Sequence, residues 1–194
     1  MNQNDKPTRL LFLDRDGIIN EDKGYVGSIN DVSFIPAIFT VIATFVDHGF
    51  LPVVVTNQSG IGRGYYSEDD FFSLSRWMQD RFTEHGLPHI PVYYCPHHPT
   101  KALPPYQQEC QCRKPGAGML LKAASQLNAD LSQSILIGDS WRDIQAGVAA
   151  GLPSQCYVNK QPAPTLNASR IFQTQNVADI AAKIPDIIAA SKSG

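Results

Sequence analysis

Two short motifs hold most of the carboxylates that could do chemistry: Asp14-Arg15-Asp16-Gly17 and Gly138-Asp139-Ser140-Trp141-Arg142-Asp143. Each follows an apolar run. Acids gathered at one place repel unless a hard cation sits among them. Mg²⁺ suits such a place, because it takes one or two carboxylates and fills its sphere with water and substrate phosphate. One Asp after a strand is more simply a helix cap. Paired acids in two such motifs point instead to a site. Between the motifs lie Thr56-Asn57 and Arg113-Lys114. A hydroxyl, an amide and a lysine beside a carboxylate make a phosphate cradle, with lysine as a point charge and arginine as a fork. Lys114 alone would read as a solvated surface residue.

A second cluster is built from softer ligands. Cys95-Pro96-His97-His98 and Cys110-Gln111-Cys112 flank a proline-rich stretch, residues 95–112. Cys95, His97, Cys110 and Cys112 make a four-ligand set suited to a closed, structural Zn²⁺ site. His98 competes with His97 for the imidazole position. Buried free thiols beside incidental histidines are the simpler alternative. Zinc is favoured because the loop has too little apolar content to hold itself. Cys112 runs directly into Arg113-Lys114, so fixing the loop would fix the cations. Cys156 sits in an apolar run and reads as core.

The elements that must position these residues alternate. Arg9–Leu13, Phe50–Val55, Ile90–Tyr94, Ser134–Ile137 and Gln155–Val158 read as strands. Helical spacing follows Pro36 up to Gly49, and follows Ser67 up to Gly86. Further helices are expected from Pro115 to Leu127, from the second acidic motif to Gly151, and from Val177 to Ala190. Apolar strands alternating with helices mean a Rossmann-like parallel α/β sheet covered on both faces. Ligands of such sheets bind at the carboxyl ends of the strands, where Asp14, Asp16, Thr56, Asn57, Asp139 and Asp143 all fall.

The chain has 194 residues, 43% hydrophobic and 18% charged, with a net charge of −2. One domain, residues 1–194, is the expectation. The charge argues against a nucleic-acid partner, and no apolar run has the length of a membrane span. The polar stretch Met1–Arg9 lacks the apolar centre of a signal peptide. A cytoplasmic monomer is therefore expected, in a compartment where thiols stay reduced.

Asp14-Arg15-Asp16-Gly17, Val55-Thr56-Asn57-Gln58, Arg113-Lys114-Pro115 and the second acidic motif, in this order, resemble the motifs of the haloacid dehalogenase (HAD) superfamily of phosphohydrolases. The likeness runs from Leu10 to Gly151. It implies phosphoryl transfer in two steps. Asp14 would be the nucleophile and Asp16 the general acid, then base. Thr56 and Lys114 would hold the phosphoryl oxygens. Mg²⁺ would bind Asp14, Asp139 and the backbone carbonyl of Asp16. Asp143 would reach the metal through water or brace Lys114.

The zinc loop is similar to that of a capless branch containing heptose-bisphosphate and histidinol-phosphate phosphatases. No insertion here is long enough for a cap domain. The resemblance implies a small phosphorylated sugar as substrate, lined by Asp22, Lys23, Gly24, Tyr25, Asn57, Gln58, Ser59, Arg63, Arg113 and Ser140. Ser140 stands where many members carry Lys. The activity implied is removal of the 7-phosphate of a heptose 1,7-bisphosphate in nucleotide-heptose synthesis for surface glycans. Histidinol-phosphate hydrolysis is the alternative within the branch. A zinc-stabilised interaction module without catalysis would have lost some of the motif residues, and none is missing. A phosphomutase must shield its phosphoenzyme from water, which a capless site does not do.

Overall fold

A computed structural model describes residues 7–164 and 170–192; the first six residues of the polar N-terminal stretch lie outside the described residues. Six strands form one all-parallel sheet in the order β3-β2-β1-β4-β5-β6. They are β1 (Arg9–Leu13), β2 (Phe50–Asn57), β3 (Val92–Cys95), β4 (Ile135–Gly138), β5 (Ser154–Val158) and β6 (Arg170–Thr174). The helices are α1 (Ala37–Asp47), α2 (Ser59–Gly62), α3 (Glu68–Glu84), α4 (Gly118–Gln126), α5 (Trp141–Ala149) and α6 (Ile184–Ser191).

Side chains alternate across a strand, and β1 shows the result. Leu11 and Leu13 enter one apolar layer with Ile38, Val41, Ile42 and Phe45 of α1, Leu74, Met78 and Phe82 of α3, and Ile187 of α6. Leu10 and Phe12 enter the other layer with Met119, Leu120 and Ala123 of α4 and Ile144 of α5. Central strands buried on both faces need apolar residues at every position, and β1 is apolar from Leu10 to Leu13.

The chain leaves β1 for β2 on one side and returns to β4 on the other. This reversal opens a crevice at the carboxyl end of β1. The Asp14 backbone N–H donates to Ile137 O of β4 at 3.1 Å, so the first acidic motif is stitched to the strand that carries the second.

Several boundaries differ from the periodicity. β2 runs on through Thr56 and Asn57, because β3 pairs with it as far as Asn57↔Cys95. α4 begins at Gly118 rather than Pro115. A Cβ on Gly116 would lie 2.4 Å from Gln111 O, so the chain is first folded tightly against the loop that carries Cys110 and Cys112. The last helix is two pieces, a 3₁₀ turn over Ala178–Lys183 and then α6, which has proline in its first turn. The strand β6 and the one-turn helix α2 were not anticipated. β6 lies at the sheet edge with only Thr174 buried, so it lacks the apolar run by which the other strands are read.

Candidate active site

The carboxylates of Asp14, Asp139 and Asp143 converge, with ligand oxygens all within 4.8 Å of one another. Each is placed by a strand end. Asp14 follows β1, Asp139 follows β4, and Asp143 lies in the first turn of α5. Ser140 caps α5. Its hydroxyl accepts from the helix N–H groups while its own N–H donates to Asp143 Oδ2 at 2.9 Å. Asp143 is thus a helix-capping acid and a member of the cluster at once. Gly17 makes room for the group. Its φ is +86°, and a Cβ there would fall 2.1 Å from Asp139 Oδ2.

Lys114 is the counter-charge. Its side chain is 2% exposed, and Nζ lies 3.0 Å from Asp14 Oδ1 and 2.5 Å from Asp143 Oδ1. It also donates to Val55 O at 2.8 Å. Burial alone would lower its pKa, but Asp14 and Asp143 outweigh that and raise it. The acids are less well served. Burial pushes Asp14 up to about 8, with Asp143 and Asp139 adding to the rise against the opposing pull of Lys114. Burial, then Asp143, pushes Asp139 up to about 7. One lysine does not balance these acids. A hard divalent cation does, and an all-oxygen donor set fits Mg²⁺.

Asn57 ties the cradle together. Its Nδ2 donates to Lys114 O at 3.1 Å and its Oδ1 accepts from Lys114 N at 3.0 Å. The end of β2 therefore clamps the loop that carries the lysine. Thr56 Oγ1 accepts from Gln58 Nε2 at 2.8 Å, which leaves its O–H free to donate. Asp16 lines the same cleft but is not one of the three converging carboxylates. Its Oδ1 accepts from Arg15 Nε at 3.2 Å and Asn20 Nδ2 at 2.9 Å. Its Oδ2 accepts from Arg15 Nη2 at 3.0 Å and Gln58 Nε2 at 3.1 Å.

The cysteines gather around His97. The Sγ atoms of Cys95, Cys110 and Cys112 lie 3.1–3.5 Å apart, and Cys112 Sγ is 3.4 Å from His97 Nδ1. All four cysteines of the chain are free thiols. A tetrahedral site with bonds of about 2.3 Å has edges of about 3.7 Å, so a slight expansion of this cluster accepts Zn²⁺. His98 stands outside the set. Its Nδ1 accepts from the Thr100 and Lys101 backbone N–H groups at 3.2 and 3.1 Å. Arg113 Nη1 donates to His97 O at 3.2 Å, which ties this cation to the cysteine and histidine loop.

A cleft of about 660 Å³ unites the carboxylate cluster and the cradle. It is lined by Asp14, Asp16, Asp22, Gly24, Tyr25, Thr56, Asn57, Gln58, Ser59, Arg63, Arg113, Lys114, Asp139 and Ser140, all of them anticipated. Lys23 is not in the lining; its Nζ donates to Ser33 Oγ at 2.6 Å and lies 3.9 Å from Glu21. Tyr66, His98, Arg142, Tyr157 and Asn159 line the cleft without having been anticipated as substrate-facing. Asn159 Nδ2 donates to Asp139 O at 2.9 Å and steadies that loop. Its position directly after β5 was the available signal. Among the described residues no helix is long and apolar enough to cross a membrane.

Comparison with known proteins agrees with this geometry. A family model described as HAD-hydrolase-like matches residues 111–179. The chain is 44% identical over 172 residues to D-glycero-alpha-D-manno-heptose-1,7-bisphosphate 7-phosphatase of Burkholderia mallei, covering 89% of this chain and 91% of that protein. It is 45% identical over 148 residues to the D-glycero-beta-D-manno-heptose-1,7-bisphosphate 7-phosphatase of Vibrio cholerae, covering 76% of this chain and 80% of that one. Among solved structures it superposes on the D,D-heptose 1,7-bisphosphate phosphatase of B. bronchiseptica, complexed with magnesium and phosphate. The TM-score is 0.75 at 27% identity, over 92% of this chain and 99% of that one. Likeness of this extent, on a sheet that gathers the motif residues at one edge, places the chain in the HAD-like family of D-glycero-D-manno-heptose-1,7-bisphosphate 7-phosphatases.

Proposed function

We propose that the protein removes the 7-phosphate of D-glycero-D-manno-heptose 1,7-bisphosphate through a phosphoryl group carried on Asp14. The observation that carries this reading is the buried Lys114 set between Asp14 and Asp143, beside Asp139, at the end of β1. A carboxylate can approach an anionic phosphate only where charge on both partners is met. Lys114 meets part of it, and the Thr56 hydroxyl and Arg113 offer further donors to phosphoryl oxygens. Mg²⁺ held by Asp14, Asp139 and the Asp16 carbonyl would supply the rest of the charge neutralisation.

In the first step an Asp14 carboxylate oxygen forms a bond to phosphorus and the bond from phosphorus to O7 of the sugar breaks. Asp16 gives its proton to O7, so the sugar leaves as an alcohol. In the second step Asp16, now ionised, takes a proton from water. The oxygen attacks phosphorus, the bond to Asp14 breaks, and inorganic phosphate leaves. Asp22, Gly24, Tyr25, Gln58, Ser59 and Arg63 also line the cleft, and the rest of the sugar bisphosphate would sit among them. The four-ligand cysteine and histidine cluster is read as a structural Zn²⁺ site with no open position for substrate.

Steady-state phosphate release with both heptose bisphosphate anomers and with histidinol phosphate tests the reading. The relatives named above include enzymes for each anomer. One anomer should give the highest kcat/KM. A preference for histidinol phosphate would overturn the substrate assignment.

A further inference from the structure

Arg15 lies between the two acids of the first motif, yet it is only 2% exposed. A buried arginine needs partners for its charge and its N–H groups. Here Nε and Nη2 grip both oxygens of Asp16, and Nη2 also donates to Val26 O at 2.7 Å. The guanidinium lies over the Phe71 ring, with Cζ 5.9 Å from its centroid. Nη1 is buried without a hydrogen-bond partner. Such an arrangement holds one orientation of the planar fork.

Val26 ends the loop that carries Asp22, Gly24 and Tyr25 to the cleft. That loop turns through two residues of positive φ, Gly24 at +73° and Tyr25 at +52°. Within it, Gly24 N donates to Asp22 Oδ1, and Lys23 reaches out to Ser33. The Val26 carbonyl is where this turn meets Arg15. One guanidinium therefore touches both the end of this cleft-lining loop and the Asp16 carboxylate.

We propose that Arg15 is a positioning residue that couples the substrate loop to Asp16, so that sugar binding and delivery of the Asp16 proton depend on the same side chain. The proposal rests on the reading of Asp16 as the group that protonates O7. A lysine at position 15 would keep the charge but, as a point donor, could not serve both Asp16 oxygens and Val26 O. It would keep the backbone N–H that donates to Asp14 Oδ1 at 2.7 Å, so the nucleophile keeps that contact.

The test is the first turnover, with Mg²⁺-loaded enzyme in excess, of two substrates: the heptose bisphosphate, whose alcohol must be protonated as it leaves, and p-nitrophenyl phosphate, whose phenolate leaves unprotonated. Arg15→Lys should slow sugar release about tenfold or more and raise the enzyme concentration that half-saturates the sugar several-fold, leaving p-nitrophenolate release within about twofold. Asp16→Asn should slow sugar release further, and adding Arg15→Lys to it should cost no more rate. Equal losses on both substrates, or no loss on the sugar, would overturn the proposal. A loss of rate with unchanged half-saturation would overturn the coupling to the loop. Rapid sugar release by Asp16→Asn would instead overturn the acid–base reading on which the proposal stands. Arg15→Met serves as the second variant, and a melting curve of each protein verifies that it is folded.

Discussion

In the proposed reaction Asp14 and Lys114 carry the chemistry, and their environment makes specific demands. Asp14→Asn keeps the shape and removes the attacking charge, so turnover should fall by orders of magnitude with the melting curve retained. Measuring phosphate release and circular dichroism on one preparation checks both halves. The raised pKa values of Asp14, about 8, and Asp139, about 7, make a second prediction. An acid whose folded pKa lies above its unfolded value binds its proton more tightly in the native state. The stability this gives is fully present below the unfolded pKa and is lost as pH rises through the folded one. Magnesium-free protein should therefore lose stability between about pH 4 and about pH 8, and the rise in Tm on adding Mg²⁺ should grow over that range. A Tm gain independent of pH would contradict the placing of the metal among these acids.

The same scale shows what the sequence displays and what it hides. The acids, Thr56, Lys114 and the cysteines were legible because their chemistry restricts residue type, and Asp14, Thr56, Cys95 and Asp139 also because each falls at the end of a strand-like run. Arg15 was not. Between two aspartates it reads as one more solvated charge, and only the fold reveals that it is buried against Asp16 and Val26. Lys23 shows the reverse. Beside Asp22 and Gly24 it reads as a substrate cation, but its Nζ is bound to Ser33 on the following segment.

At the scale of elements, the cysteine and histidine loop and the proposed phosphate cradle form one mechanical unit. Cys112 precedes Arg113 directly, and Arg113 donates to the carbonyl of His97. Cys110→Ser or Cys112→Ser should release zinc, lower Tm and reduce activity as a consequence, since a displacement of about 1 Å at the cradle can cost about 10²-fold. Asp139→Ala should do the opposite, keeping zinc and stability while losing turnover. Elemental analysis across the two classes of variant checks this, with about one zinc per chain expected wherever the four ligands are intact. Zinc lost from Asp139→Ala would mean the metals had been assigned to the wrong sites. Helix and strand positions were largely legible, because burial on both sheet faces writes apolar runs into β1, β2 and β4. The start of α4 was not, because Gly116 and Gly118 are held by contacts to Gln111 across the loop. Nor was β6, an edge strand whose pairing with β5 is satisfied by backbone groups that any residue offers.

At the scale of the molecule, the strand order decides the function's location. Reversal at β1 brings the ends of β1, β2 and β4 to one crevice, so residues from Asp14 to Asp143 act together. The crevice is open at its mouth, and short loops around Tyr25 and Arg63 must do the selecting that a cap would otherwise do. Those loops must tell one phosphate of the sugar from the other, and ³¹P NMR of the heptose 1,7-bisphosphate during turnover with Mg²⁺ reads that choice directly. The proposed reaction requires that the C7 phosphoester signal decay as inorganic phosphate grows, with the C1 phosphate left intact. Loss of the C1 phosphate, or an unchanged bisphosphate in the presence of enzyme that hydrolyses histidinol phosphate, would contradict it.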